Sequence, residues 1–201
     1  MANNLDRDWD GSPVNYTCYN PQLPLPVLPH IKSIETCDPI PDGYYPQHHC
    51  IAEQIVYNET LTTYGDHRPL WPVFGEYKFV PKQRWLHNIE HGAIVMLYHP
   101  CANKVMVSRL RALVTSCIRK HIITPYNLMD RERPLALIAW GCRLTMSSVN
   151  INDVISFIKR KSMKGPEGTY EKEGQYTHML VKKADIADGS DFKDSKICPN
   201  L

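Results

Sequence analysis

The sequence predicts an α+β domain: a small mixed sheet with helices packed on one face, preceded by an irregular arm held by disulfides. Strand-length apolar runs at 93–98 and 134–140 alternate with amphipathic segments at 103–121 and 148–160. The first 63 residues have no such period and are rich in Pro, Asn, Asp and Tyr. Seven cysteines are scattered along the chain with no C-x-x-C pair, which suits disulfides and not a zinc ribbon or a dithiol redox motif. A ferredoxin-like order is one way of building such a sheet.

Size and charge narrow the classes. A chain of 201 residues buries a real core, so disulfides supplement the fold. With 23 basic and 21 acidic side chains the formal charge is +2, which argues against a nucleic-acid partner. The run Lys159-Arg160-Lys161 reads as a solvated helix end, since no aromatic platform interleaves with it. No apolar stretch reaches the ~18 residues a membrane span needs.

Three zones follow in order. Residues 1–63 form the arm, with Pro21 to Pro29 extended and polyproline-like. Residues 64–181 hold the α+β core. Gln83 to His91 is expected as a short helix stopped by Gly92. Ala93 to Tyr98 is the first buried strand. Asn103 to His121 is a helix with Val105, Leu110, Leu113, Val114, Cys117 and Ile118 near one face. Pro134 to Trp140 is a second buried strand continuing toward Thr145. Ser148 or Asn150 caps a helix through Arg160. Tyr176 to Val181 adds an edge strand, and 182–201 is a polar, loosely ordered tail. If the two buried strands are neighbours, the crossover rule sets them parallel.

Cysteine usage also bears on compartment. Cys18, Cys37 and Cys50 are expected to hold the arm, Cys101 to pair with Cys142, and Cys117 to stay unpaired inside its helix. The sequons Asn15-Tyr16-Thr17 and Asn58-Glu59-Thr60 favour a secreted or luminal glycoprotein. Met-Ala-Asn-Asn-Leu-Asp at the N-terminus has no signal-peptide pattern; cysteines and sequons outweigh it, the leader being read as replaced by methionine.

The chemistry concentrates between Tyr64 and Cys101. His87 and His91 are four apart, so a helix presents both on one face, with Glu90 beside them. His-x-x-Glu-His is the inverted zincin string, but Gly92 and a strand follow at once, whereas a zincin carries its motif on a long helix. A broader reading takes His67, His87, His91 and His99 as ligands of copper or zinc. Glu90 then serves as base or, with Asp66, orients ring nitrogens from behind. The competing reading makes the histidines a hydrogen-bonded fold element of a non-catalytic secreted domain whose arm meets a small molecule or protein. Adjacent residues of an extended segment point apart, so His48-His49 is expected to be structural or at the surface. No Gly-x-Ser-x-Gly elbow supports serine chemistry.

Several strings together carry a resemblance: Gly65-Asp-His-Arg-Pro-x-Trp71, Gly75-x-Tyr77, His87-Asn-x-Glu-His-Gly-Ala-x-Val95, Tyr98-His-Pro100 and Ala139-Trp-Gly141. Residues 60–160 resemble the domain-of-unknown-function 3105 family. The cysteines and the long arm are similar to its animal branch. The resemblance implies an extracytoplasmic domain with His67, His87, Glu90 and His91 as its polar core, and it implies no particular reaction.

Overall fold

A computed structural model of the chain describes residues 8–201. Its regular elements are β1 (Ile34–Cys37), β2 (Gly75–Tyr77), α1 (Lys82–Glu90), β3 (Ile94–Tyr98), α2 (Lys104–Cys117), β4 (His121–Pro125), β5 (Leu135–Ala139), β6 (Cys142–Met146), α3 (Ile151–Lys161) and β7 (Leu180–Lys183). The strands form one mixed sheet in the order β1-β6-β5-β3-β4-β2-β7. The predicted α+β class is therefore the observed one.

The central strand explains the layering. Alternate residues of a strand face opposite sides. Ile94 and Met96 pack with Leu110, Leu113 and Val114 of α2 and with Val154, Phe157 and Ile158 of α3. Val95 and Leu97 pack instead with Trp85, Leu86 and Ile89 of α1. An unbroken apolar run is what a strand covered on both faces requires. Two helices thus share a face as expected, while the short site helix α1 covers the other.

Helix ends follow their caps. The Asn103 side chain accepts from the Val105 and Met106 amides, and Asn150 from those of Asn152 and Asp153. Gly92, at φ 80°, ends α1 as predicted. Helix α2 stops at Cys117 instead of His121, because Ile118 is already extended and Ile122-Ile123-Thr124 are better strand formers. Val105, expected inward, is 68% exposed on the first turn of α2.

That missed strand corrects the topology. The crossover from β3 through α2 lands on β4, which is parallel to β3. The chain then returns antiparallel as β5 on the other side of β3, so the two buried strands are not parallel. The expected edge strand at 176–181 appears a little later as β7, antiparallel to β2.

Three disulfides join Cys18–Cys101, Cys37–Cys142 and Cys117–Cys198, and Cys50 is free and exposed. Cys101 and Cys142 do not pair because they lie at opposite ends of the sheet. Tyr98 faces Leu135 at one end of β5, and Cys142 faces Ala139 at the other. Each bonds an arm cysteine instead. Cys50 contributes no staple, contrary to expectation. Nor is Cys117 unpaired, since the last turn of α2 meets the tail. There the Cys198 amide donates to the Cys117 carbonyl, and the buried Asp194 carboxylate takes the amides of Arg119 and Lys120. The tail, expected to be loosely ordered, is pinned to the mouth of β4.

Two expectations for stability follow. Cys37–Cys142 closes a loop with a sequence separation of 105 residues, so replacing both by serine should cost roughly 3–5 kcal/mol, read as a lower urea midpoint. Buried His121 donates from Nδ1 to the Ile118 carbonyl, and burial pushes its imidazole down to about 4. An unfolded histidine titrates near about 6.5, so in between the unfolded chain binds a proton that the folded one refuses. Stability must then rise with pH across that window. Urea unfolding should show midpoints falling as pH drops from about 6.5 to about 4, with a shallower slope in His121→Gln.

Candidate metal centre

The site forms where three pieces of chain meet: the arm at 47–50, the loop at 65–68, and α1. Arm and loop meet as a single parallel bridge, His48 opposite His67. The His67 amide donates to the Gln47 carbonyl at 3.1 Å, and the His49 amide to the His67 carbonyl at 3.0 Å. Extended backbone sends neighbouring side chains to opposite sides, so His48 turns toward α1 and His49 away. His49 is gripped by Glu53 at Nδ1 (2.6 Å) and Asp66 at Nε2 (2.9 Å). Those hydrogen bonds, Glu53 first, raise its pKa.

On the inner side four ligand atoms converge. One atom each from His48, His67, His87 and Glu90 lies within 4.8 Å of every other. Glu90 Oε2 stands 3.1 Å from His67 Nε2, 3.7 Å from His48 Nε2 and 4.0 Å from His87 Nε2. His67, His87 and Glu90 are buried, while the His48 side chain keeps 45% of its surface exposed at the mouth.

Ring orientation is set from behind. His67 Nδ1 lies 2.9 Å from the Gly65 carbonyl and His87 Nδ1 2.9 Å from that of Arg68. A carbonyl only accepts, so each Nδ1 carries a hydrogen and each Nε2 is left facing the cluster. Imidazoles oriented in this way are typical of metal ligands. Burial first, then the neighbouring imidazoles, lowers the His87 pKa to about 2; the ring stays neutral, the form that ligates. Metal–nitrogen bonds of about 2.1 Å put ligand atoms about 3–4 Å apart, so the group is close enough to hold an ion with a small contraction.

The predicted residues divide. His67, His87 and Glu90 come together. His91 does not join them: its ring stacks on those of His87 (5.0 Å, 14°) and Trp71 (4.4 Å, 26°). Its buried Nδ1 has no hydrogen-bond partner and lies 3.5 Å from Glu167, and burial lowers its pKa to about 4. His91 thus lies outside the group whose ligand atoms converge, and His87 converges with Glu90, three residues on, instead. His99 sits past the far end of β3, about 17 Å of strand away. Its Nδ1 accepts the Cys101 amide, and it faces a cavity of about 620 Å³ between arm and loop 127–131. Asp66 anchors the arm through Gln47, His49 and Tyr44 and does not orient the cluster. His48, read from the sequence as structural or surface, supplies the fourth atom. The alternation that separates His48 from His49 was legible, but which of the two faces inward depends on the bridge.

Loop 163–168 seals the end of α1. The Met163 amide donates to the Gly92 carbonyl and the Glu167 amide to that of Glu90. A Cβ on Gly165 would sit 2.1 Å from the Glu90 carbonyl oxygen, so only glycine lets the loop approach. Along the outer side of Asp66 and His49 runs a groove of about 700 Å³, with Tyr44, Tyr57 and Tyr64 in its walls.

The family model described as "Protein of unknown function (DUF3105)" matches residues 48–174, more than half of the chain. The chain belongs to the DUF3105 family. All four converging residues lie inside the DUF3105 match, which begins at His48. The chain is also 32% identical over 68 residues to tumor protein p53-inducible protein 13 of Rattus norvegicus. That stretch is 34% of this chain and 18% of the rat protein, so the similarity spans under a fifth of that relative. No solved structure matches. No helix among the described residues is long and apolar enough to cross a membrane.

Burial separates the roles of two histidines. In excess chelator, His67→Ala should cost about 1–3 kcal/mol through its lost carbonyl partner, and the exposed His48→Ala about 0.5 kcal/mol or less, both read from urea midpoints.

Proposed function

We propose that this chain is an extracellular metal-binding domain that holds copper or zinc on His48, His67, His87 and Glu90. One observation carries the reading: ring nitrogens of three histidines and a carboxylate oxygen converge, and two of those rings spend their other nitrogen on a backbone carbonyl. With those ring nitrogens unprotonated, four acceptors facing one another repel unless a cation lies between them. Borderline nitrogen donors with one carboxylate suit copper and zinc better than the all-oxygen cations. Three disulfides support an oxidising, extracytoplasmic setting, with exposed Asn58 as a glycan acceptor.

A bound ion of this kind supplies Lewis acidity or, for copper, a one-electron couple. The chain's own contribution is orientation: two carbonyls fix two rings, and the arm brings the third. If the three imidazoles alone hold the ion, the Glu90 carboxylate beside them serves as a base.

A second reading keeps the cluster as a fold element, with a proton in place of the ion between His67 and Glu90. The 3.1 Å separation of that pair favours it. Elemental analysis separates the two. Protein secreted from cells in zinc- and copper-supplemented medium, purified without chelator, should carry close to one equivalent of one metal. The double variant His67→Ala, His87→Ala should carry none. Wild-type protein well below one equivalent under those conditions would sink the metal reading.

A further inference from the structure

The residue that ties the three pieces of the site together is not among the four that converge. Arg68 is 2% exposed, and each part of it holds a different piece. Its backbone carbonyl accepts the Nδ1 hydrogen of His87. Its Nη1 donates to the carbonyls of His49 (3.2 Å) and Cys50 (2.6 Å), the two residues after His48. Its Nε and Nη2 form a bidentate pair with Asp8, at 2.9 and 2.6 Å to the two carboxylate oxygens. The Asp8 side chain is only 1% exposed. A guanidinium in that position must be neutralised, because an unpaired buried charge is among the costliest defects a fold can carry.

We propose that the buried Asp8–Arg68 ion pair is a positioning device that presents His48 to the metal group. The inference rests on the metal-binding reading and adds to it a residue far from the ligands in sequence. Beyond the bridge to His67, no other buried side chain with formal charge holds the backbone of residues 48–50 among the described residues. His48 itself is half exposed and no hydrogen bond holds a ring nitrogen; its ring stacks on that of His87 (4.7 Å, 16°), and the backbone of residues 48–50 sets where that ring begins. With Asp8 neutralised, Arg68 is expected to turn toward solvent and release the carbonyls of residues 49 and 50. His48 then swings free, while His67, on the loop, and His87, on α1, keep their carbonyl partners.

A double-mutant cycle on zinc affinity, measured by competition with a chromogenic chelator, tests this. Supporting groups of this kind change metal affinity by about 10–100-fold. Asp8→Asn should weaken zinc binding by about that factor in the wild-type background and hardly at all in His48→Ala, because the ligand it positions is already gone. The cobalt(II) spectrum of Asp8→Asn should match that of His48→Ala, a change that general destabilisation does not produce. If Asp8→Asn does not accumulate folded, Arg68→Lys takes its place in the same cycle, keeping the charge and losing the forked contacts. Equal losses in both backgrounds, or no loss with wild-type affinity intact, would overturn the positioning role alone. Wild-type protein that binds no zinc or cobalt would overturn the metal reading and this one with it.

Discussion

Everything in the fold is arranged around a strand that must be covered on both faces. β3 carries five consecutive apolar or aromatic residues, and leaving either side wet costs on the order of 25 cal/mol for each Å² of apolar surface. α2 and α3 cover one side. The remaining side is left to α1, a helix of nine residues too short to be stable alone. It is held by Trp85, Leu86 and Ile89 against the sheet and sealed at its end by loop 163–168. The helix that carries His87 and Glu90 is thus rigid for reasons of core packing.

Rigidity from the core leaves the outer half of the site to the irregular arm. The arm has few apolar residues to bury, and its position comes from two disulfides, one edge strand and ion pairs that include Asp8–Arg68, Glu35–Arg160 and Asp38–Arg143. Cys18–Cys101 and Cys37–Cys142 fasten it at opposite ends of the sheet. Beyond the second staple it crosses the loop at 65–68, where one bridge and the Arg68 guanidinium hold the backbone that follows His48. A four-atom cluster assembled from core helix, loop and arm is built of parts with different stabilities. His48, exposed and carried by the arm, is the member easiest to displace.

Much of this was written in local sequence. The alternation of apolar runs and amphipathic segments fixes the α+β class. Asn103 and Asn150 announce their helices, Gly92 ends α1, and the i,i+3 spacing of His87 and Glu90 makes them neighbours on any helix. The cysteines announce a stapled arm. β4 was hidden because His121-Ile-Ile-Thr continues the apolar period of α2 with residues that suit a strand equally well, and only pairing with β3 and β2 decides between them.

What tertiary structure alone decided was partnership. Disulfide connectivity depends on which ends of strands coincide, and no spacing reveals that β5 runs antiparallel to β3 and so separates Cys101 from Cys142. Likewise, the sequence nominated His67, His87, His91 and His99 as ligands with Glu90 beside them and set His48 aside, whereas the fold gathers His48 with His67, His87 and Glu90. Helical spacing puts His91 on the right face, yet the ring stacks on Trp71. His48 sits in a segment with no period at all and reaches the cluster through a two-residue bridge. Local pattern governs which way a side chain points from its own backbone; where that backbone lies relative to the rest is a matter of long-range packing.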